Sequence, residues 1–188
     1  MSQGKKIARE YLRQVWESHK VNKGYFVEDL SWIVSDVIDY GIYGPRYRID
    51  IKDFMRDKLD IRLLSTPRTQ NHVDRLTDNW YVFYNSTMNE RDERSYLAHS
   101  LGHLLMHPES INCSSSSPYE SEASEFAANL LVHLRKLENV AIPFWPWNQM
   151  KIRKNYPQKL KEWAMLFDVP EKIVDAQYRR LHGHTIRW

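Results

Sequence analysis

A chain of 188 residues with 42% hydrophobic and 13% aromatic content carries enough apolar material for one packed domain, which excludes global disorder. Its 27 basic and 24 acidic residues leave a formal charge of +3, too balanced for the dense basic stripe of a dedicated nucleic-acid binder. The single cysteine, Cys113, cannot form an internal disulfide, no leader-like apolar core follows Met1, and no apolar run reaches the ~18 residues of a membrane span, so a cytoplasmic protein without membrane contact is expected.

In chain order, residues 5–21 carry a helical stripe of Ile7, Tyr11, Leu12, Val15 and Trp16. Gly24 interrupts the pattern, and 26–41 resumes it through Phe26, Leu30, Ile33, Val34, Val37 and Ile38. Gly44-Pro45 marks a turn, and a short helix is expected near 50–58. Ile61 to Leu64 and Val73 to Leu76 read as short strands separated by a polar turn around Pro67. Asn79 to Asn85, aromatic and β-branched, is the strongest strand. Together the three predict a small antiparallel sheet.

The period then changes to helical over 89–106, anchored by Tyr96, Leu97, Leu101, Leu104 and Leu105 and ended by Pro108. A polar serine-rich loop follows at 112–118. A helix over 119–137 opens on acidic residues that suit its positive N-terminal dipole. Pro143-Phe144-Trp145-Pro146-Trp147 reads as an aromatic loop covering the core, and 158–167 and 170–181 as two short helices. No internal repeat is present. The organisation is one domain over 1–188: N-terminal helices to 58, a core over 59–137 and a helical extension over 138–188.

The chemistry concentrates in the helix over 89–106. His99, His103 and His107 stand at i, i+4 and i+8. Two histidines four apart project from one helix face and can share a metal ion. Ala98-His99-Ser100-Leu101-Gly102-His103 nearly spells the helical zinc motif HExxH, with a serine in place of the glutamate that takes a proton from the zinc-bound water. Gly102 permits another backbone or the metal edge to approach. The next helix brings Glu120, Glu122 and Glu125 back toward the histidines. The bland alternative is surface histidines beside surface glutamates.

Two stretches resemble the ImmA/IrrE metallopeptidases. Phe83-Tyr84-Asn85, then Glu90-Arg91 through Arg94, then Leu97 to His107 is similar to that family's strand, arginine-containing turn and AHELGHxxLH helix. Glu120-Ser121-Glu122-Ala123-Ser124-Glu125-Phe126-Ala127-Ala128-Asn129-Leu130-Leu131 is similar to its ExEAxxFAxxLL helix. The resemblance spans about residues 60–135. It implies an α+β, zincin-like fold with N-terminal helices, a small three-stranded antiparallel sheet, an HxxxH helix, a Glu-bearing helix and a C-terminal helical pair. It also implies a Zn2+ ion held by His99, His103 and Glu122, with Glu120 as the competing carboxylate, and His107 outside the ligand set. The implied partner is a regulatory protein, such as a helix-turn-helix repressor, that is bound or cleaved.

The chain departs from that pattern at Ser95-Tyr96, at Val132-His133 and, most seriously, at Ser100. A serine hydroxyl lacks the basicity that the proton transfer needs, and loss of a general base costs ~10²–10⁴ in rate. Three explanations compete: a pseudoprotease that binds without cutting, a substitute base (Glu125 or Glu93), or an engineered inactivation. The first is favoured here. A catalytically silent module that sequesters its partner is the reading from another class.

The C-terminal helices suggest a third reading, a DNA-binding regulator. Lys159, Lys161, Lys172, Arg179, Arg180 and Arg187 make this end basic, but its last helix offers only Asp175 and Gln177 for base edges. A structural helical pair closing the domain is the favoured reading. His182-Gly183-His184 reads as a tail.

Overall fold

The computed structural model describes residues 49–68, 70–76, 79–107, 118–132, 134–141 and 149–181, together with Glu10 and Gln14. The expected helices over 5–21 and 26–41, the serine-rich and aromatic loops, His133 and the histidine tail lie outside these residues. Among the described residues there are six α-helices, one π-helical turn and a three-stranded sheet. None of these helices is long and apolar enough to cross a membrane.

The short helix expected near 50–58 is a single α-turn, α1 (Ile51–Asp53), running into a π-helical turn at Phe54–Lys58. Asp50 caps it by accepting the Asp53 N–H. Ile51, Phe54, Met55 and Leu59 are buried and seat this segment against the sheet and the helices.

The strands are β1 (Ile61–Thr66), β2 (His72–Leu76) and β3 (Asn79–Asn85). Their order is β1-β3-β2. β2 pairs antiparallel with β3, but β1 pairs parallel with it, Leu63 opposite Val82. The sheet is therefore mixed, which corrects the antiparallel expectation. The physical reason is burial. β3 is the most apolar of the three and takes the centre, with Val82 and Tyr84 buried. The chain reverses from β1 to β2 and again from β2 to β3, so β1 and β3 run the same way, and the place of β2 on the far side of β3 makes them parallel neighbours.

Helix α2 (Glu90–Met106) starts at Asn89, whose side chain accepts the Asp92 N–H, and carries acidic residues in its first turn. From Leu97 to Met106 only His99 among its side chains is not buried, so it is the central helix of the core. Helix α3 (Pro118–Leu131) packs along it. The single helix expected over 119–137 is in fact two, because a second one, α4 (Leu134–Ala141), begins after a break at Val132.

The first helix of the C-terminal pair is also longer than expected. It runs as α5 (Gln149–Phe167) straight through Pro157. An internal proline forfeits a backbone bond; Tyr156 beside it and Trp163, Ala164 and Phe167 further along the helix are buried and anchor it. Helix α6 (Glu171–Leu181) follows a corner at Asp168, whose φ of 52° is the left-handed conformation that ends helices.

That corner is fastened to α2 by Arg94, which is only 3% exposed. Its guanidinium donates to the carbonyls of Phe167 (3.1 Å), Asp168 and Ile49 (3.1 Å) and pairs with the Asp168 carboxylate at 3.3 Å. Arg91 adds a second contact to the same carboxylate at 3.2 Å. A buried polar bridge between Gln177 and Asn129 (3.1 Å) ties α6 to α3.

Candidate metal centre

His99 and His103 project from α2 toward the start of α3, one helical turn apart. Their Nε2 atoms lie 3.0 Å from each other. Glu120, in the first turn of α3, closes the triangle: one oxygen is 3.0 Å from His99 Nε2 and the other 3.1 Å from His103 Nε2. Among the described residues these three form the group that could hold a metal ion.

The rotation of α3 decides which glutamate is used. Residues two apart on a helix differ by about 200° in direction. Glu120 therefore faces the His99–His103 edge, while Glu122 reaches His107 Nε2 at 2.9 Å. Of the ligands expected from sequence, His99 and His103 come together as read. The carboxylate beside them is the competing one, Glu120, and Glu122 sits in a separate pair one turn further along α2. Tyr119 packs its ring against His107, with centroids 4.2 Å apart.

Close approach of the two helices sets this geometry. Gly102 faces Ala123 with no room for a side chain, a Cβ there standing 3.0 Å from the Ala123 Cα. The alanine and glycine thus bring the α3 backbone near enough for a glutamate to reach both imidazoles. Behind His99, Ser124 Oγ lies 3.3 Å from the ring's other nitrogen, Nδ1. With a metal on Nε2, the Nδ1–H donates to that hydroxyl and fixes the ring. Sequence reasoning missed the roles of Ser124 and of the Glu122–His107 pair. Their spacing from Glu120 on one helix was the only available signal.

The donor set fits zinc. Tetrahedral coordination at Zn–N distances of 2.0–2.1 Å places neighbouring ligand atoms about 3.3 Å apart, close to the triangle observed. Two imidazole nitrogens facing each other beside a carboxylate require a shared cation or proton to be satisfied. Burial lowers the pKa of His103, His99 and His107 reinforce the effect, and Glu120 opposes it. A neutral imidazole is the form that ligates. His99 and Glu120 remain 24% and 30% exposed, so one side of the triangle is open.

Ser100 follows His99 and is 1% exposed. It faces inward beside Tyr96, one turn earlier, whose hydroxyl donates to the Phe83 carbonyl of β3 at 3.0 Å. Burial raises the Tyr96 phenol above its ordinary pKa, with the Ser100 hydroxyl opposing. The expected substitute bases are engaged elsewhere. Glu125 pairs with Arg180 at 2.6 Å and Glu93 with Lys52 at 2.5 Å, and neither belongs to the cluster around His99.

Some of the groups considered for DNA contact are engaged with neighbours in the chain. Asp175 accepts from Tyr156 at 2.6 Å and pairs with Arg179, Gln177 is buried, and Lys159 pairs with Glu162.

No curated protein matches the chain. The family model described as the IrrE N-terminal-like domain, Peptidase_M78, matches residues 56–178. That span contains the sheet, both histidines, Glu120 and the Arg94 corner, and the chain belongs to this metallopeptidase-related family.

Proposed function

We propose that the chain is an IrrE-type zinc protein that holds a polypeptide partner, such as a helix-turn-helix regulator, without efficient hydrolysis. The observation that carries this reading is the combination at one turn of α2. A His99–His103–Glu120 group that could hold a metal ion stands beside a serine where the proton-accepting carboxylate belongs. His99 and His103 would ligate through Nε2 and Glu120 through its carboxylate, with Ser124 orienting His99. Bound zinc would supply Lewis acidity toward a peptide carbonyl and lower the pKa of water at the open side.

What this chain's own residues do at that point is bind and orient. Ser100 offers a hydroxyl with no useful basicity near neutral pH. Tyr96, kept protonated by burial, donates its hydrogen to Phe83. Glu93 and Glu125 are held by cations. A partner chain can therefore be polarised and held, while proton transfer from water lacks a carboxylate acceptor.

Two measurements test the reading on purified protein. Metal analysis is expected to find zinc in the wild type and none in Glu120→Gln; equal zinc in both overturns the site. Digestion of a peptide library, read by mass spectrometry, is expected to show no cleavage beyond a chelator-treated control. Zinc-dependent cleavage at an ordinary peptidase rate overturns the holding role.

A further inference from the structure

N-terminal to His99 along α2, the space between α2, α3 and α6 opens into a groove of about 720 Å³, a volume typical of ligand sites. His99 forms its metal-side end. Ala127, Ala128, Ile173 and Ala176 line it on the α3 and α6 sides, and Met88 and Tyr96 on the other. Two charged residues, Asp92 and Lys172, also line it.

Those two charges are not equivalent. The Asp92 carboxylate accepts from the Asn89 amide at 2.5 Å, inside the N-terminal cap of α2. On α6, Arg179 is paired with Asp175 and Arg180 with Glu125. Lys172, exposed on the same helix, has no ion-pair partner among the described residues. The groove thus joins the metal centre to an uncommitted ammonium across an apolar lining.

From this we infer that the groove seats an extended peptide segment along its alanine-lined wall with an acidic side chain on Lys172. The inference rests on the proposed polypeptide-holding role and specifies what the partner must carry. An amine beside an apolar channel rewards a carboxylate with a charge-assisted hydrogen bond. α6 is then a wall of the binding cleft.

The test uses the full-length protein and an immobilised library of short peptides. Zinc content is measured for each variant. The wild type is expected to retain peptides enriched in Asp or Glu. Lys172→Glu is expected to abolish the acidic enrichment and weaken the best peptide about tenfold or more. Ala176→Trp, at an exposed groove position, is expected to block retention while zinc content is unchanged. Retained peptides without acidic enrichment, no retention at all, or enrichment that survives both substitutions would each overturn the inference. Loss of zinc in Glu120→Gln with peptide selection intact leaves the groove standing. Absence of zinc from the wild type with that selection intact removes only the metal reading.

Discussion

Gly102 and Ala123 meet at backbone distance: a Cβ on Gly102 would stand 3.0 Å from the Ala123 Cα and 3.1 Å from its carbonyl oxygen. Both neighbouring atoms are main chain, so neither can swing aside. The contact fixes how close α2 and α3 lie, and hence how far Glu120 must reach to the two imidazoles.

Gly102→Ala therefore sets two effects against each other. Alanine gains about 1 kcal/mol of helix propensity over glycine. Overpacking against a rigid backbone costs about 1–3 kcal/mol. The clash is with main chain on both atoms, so net destabilisation of about 1 kcal/mol is expected in a denaturant titration, together with weaker zinc binding. An unchanged or raised unfolding midpoint with full zinc affinity would show that the helices tolerate separation.

The two glutamates of α3 should respond differently to the loss of charge. Glu120→Gln removes the charge of a carboxylate whose two oxygens lie 3.0 Å from His99 and 3.1 Å from His103 and is expected to abolish stoichiometric zinc. Glu122→Gln disturbs the His107 pair, and the expected loss is no more than about tenfold in affinity, the low end for residues behind the ligands. Competitive titration with a chromogenic chelator separates them. The reverse ranking would return Glu122 to the ligand set.

This difference shows where sequence reasoning reached its limit. The histidine pair was legible because i and i+4 share a face whatever surrounds the helix. β3 was legible because Trp80 to Tyr84 is aromatic and β-branched between turn residues, and α2 because its apolar period and its Pro108 stop are local. The choice of Glu120 over Glu122 depends on the rotation of one helix against another, which the Gly102–Ala123 contact sets from 21 positions away. The parallel β1–β3 pairing is likewise a long-range competition for the sheet centre. Gly102 was itself the available signal, since a glycine inside a helix invites close approach. What it could not say was that the approaching backbone belongs to Ala123.

Arg94 gives a prediction about the frame. Its buried guanidinium serves three carbonyls and one carboxylate. Arg94→Met keeps the bulk but strands those acceptors, so a loss of about 3 kcal/mol is expected in chemical denaturation. A loss below about 1 kcal/mol would mean that water takes the place of the guanidinium at the α5–α6 corner.

Alkaline titration probes the helical end. Burial raises Tyr156 and Tyr178, and the Asp175 hydrogen bond raises Tyr156 further; burial also raises Tyr96. A phenol whose folded pKa is raised contributes stability that is complete below the unfolded value of about 10 and is lost as pH climbs toward the folded value. At least three of the 11 tyrosines should therefore ionise late, together with unfolding, in the near-UV tyrosinate band. Tyr156→Phe should remove one from that late group. A single transition near pH 10 for every tyrosine would contradict the packing of α5 on α6.

Restoring the missing base is expected to need two substitutions. Ser100 is 1% exposed and stands one turn from Tyr96, whose ring and hydroxyl occupy the side of α2 that faces β3. Ser100→Glu alone would force a longer, charged side chain into a filled space, with the costs of overpacking and of burying a carboxylate. The single variant should lose stability and remain inactive. Tyr96→Ser vacates the ring's volume, so Tyr96→Ser/Ser100→Glu should let the carboxylate turn toward water at the zinc. Hydrolysis of library peptides is then expected to rise by about 10²–10⁴ over the wild type, the range a general base supplies. If Ser100→Glu alone reaches that rate, Tyr96 is no obstacle. If the double variant binds zinc, folds and still cuts nothing, the missing carboxylate is not what silences the site, and the cause must lie in how a peptide enters the groove.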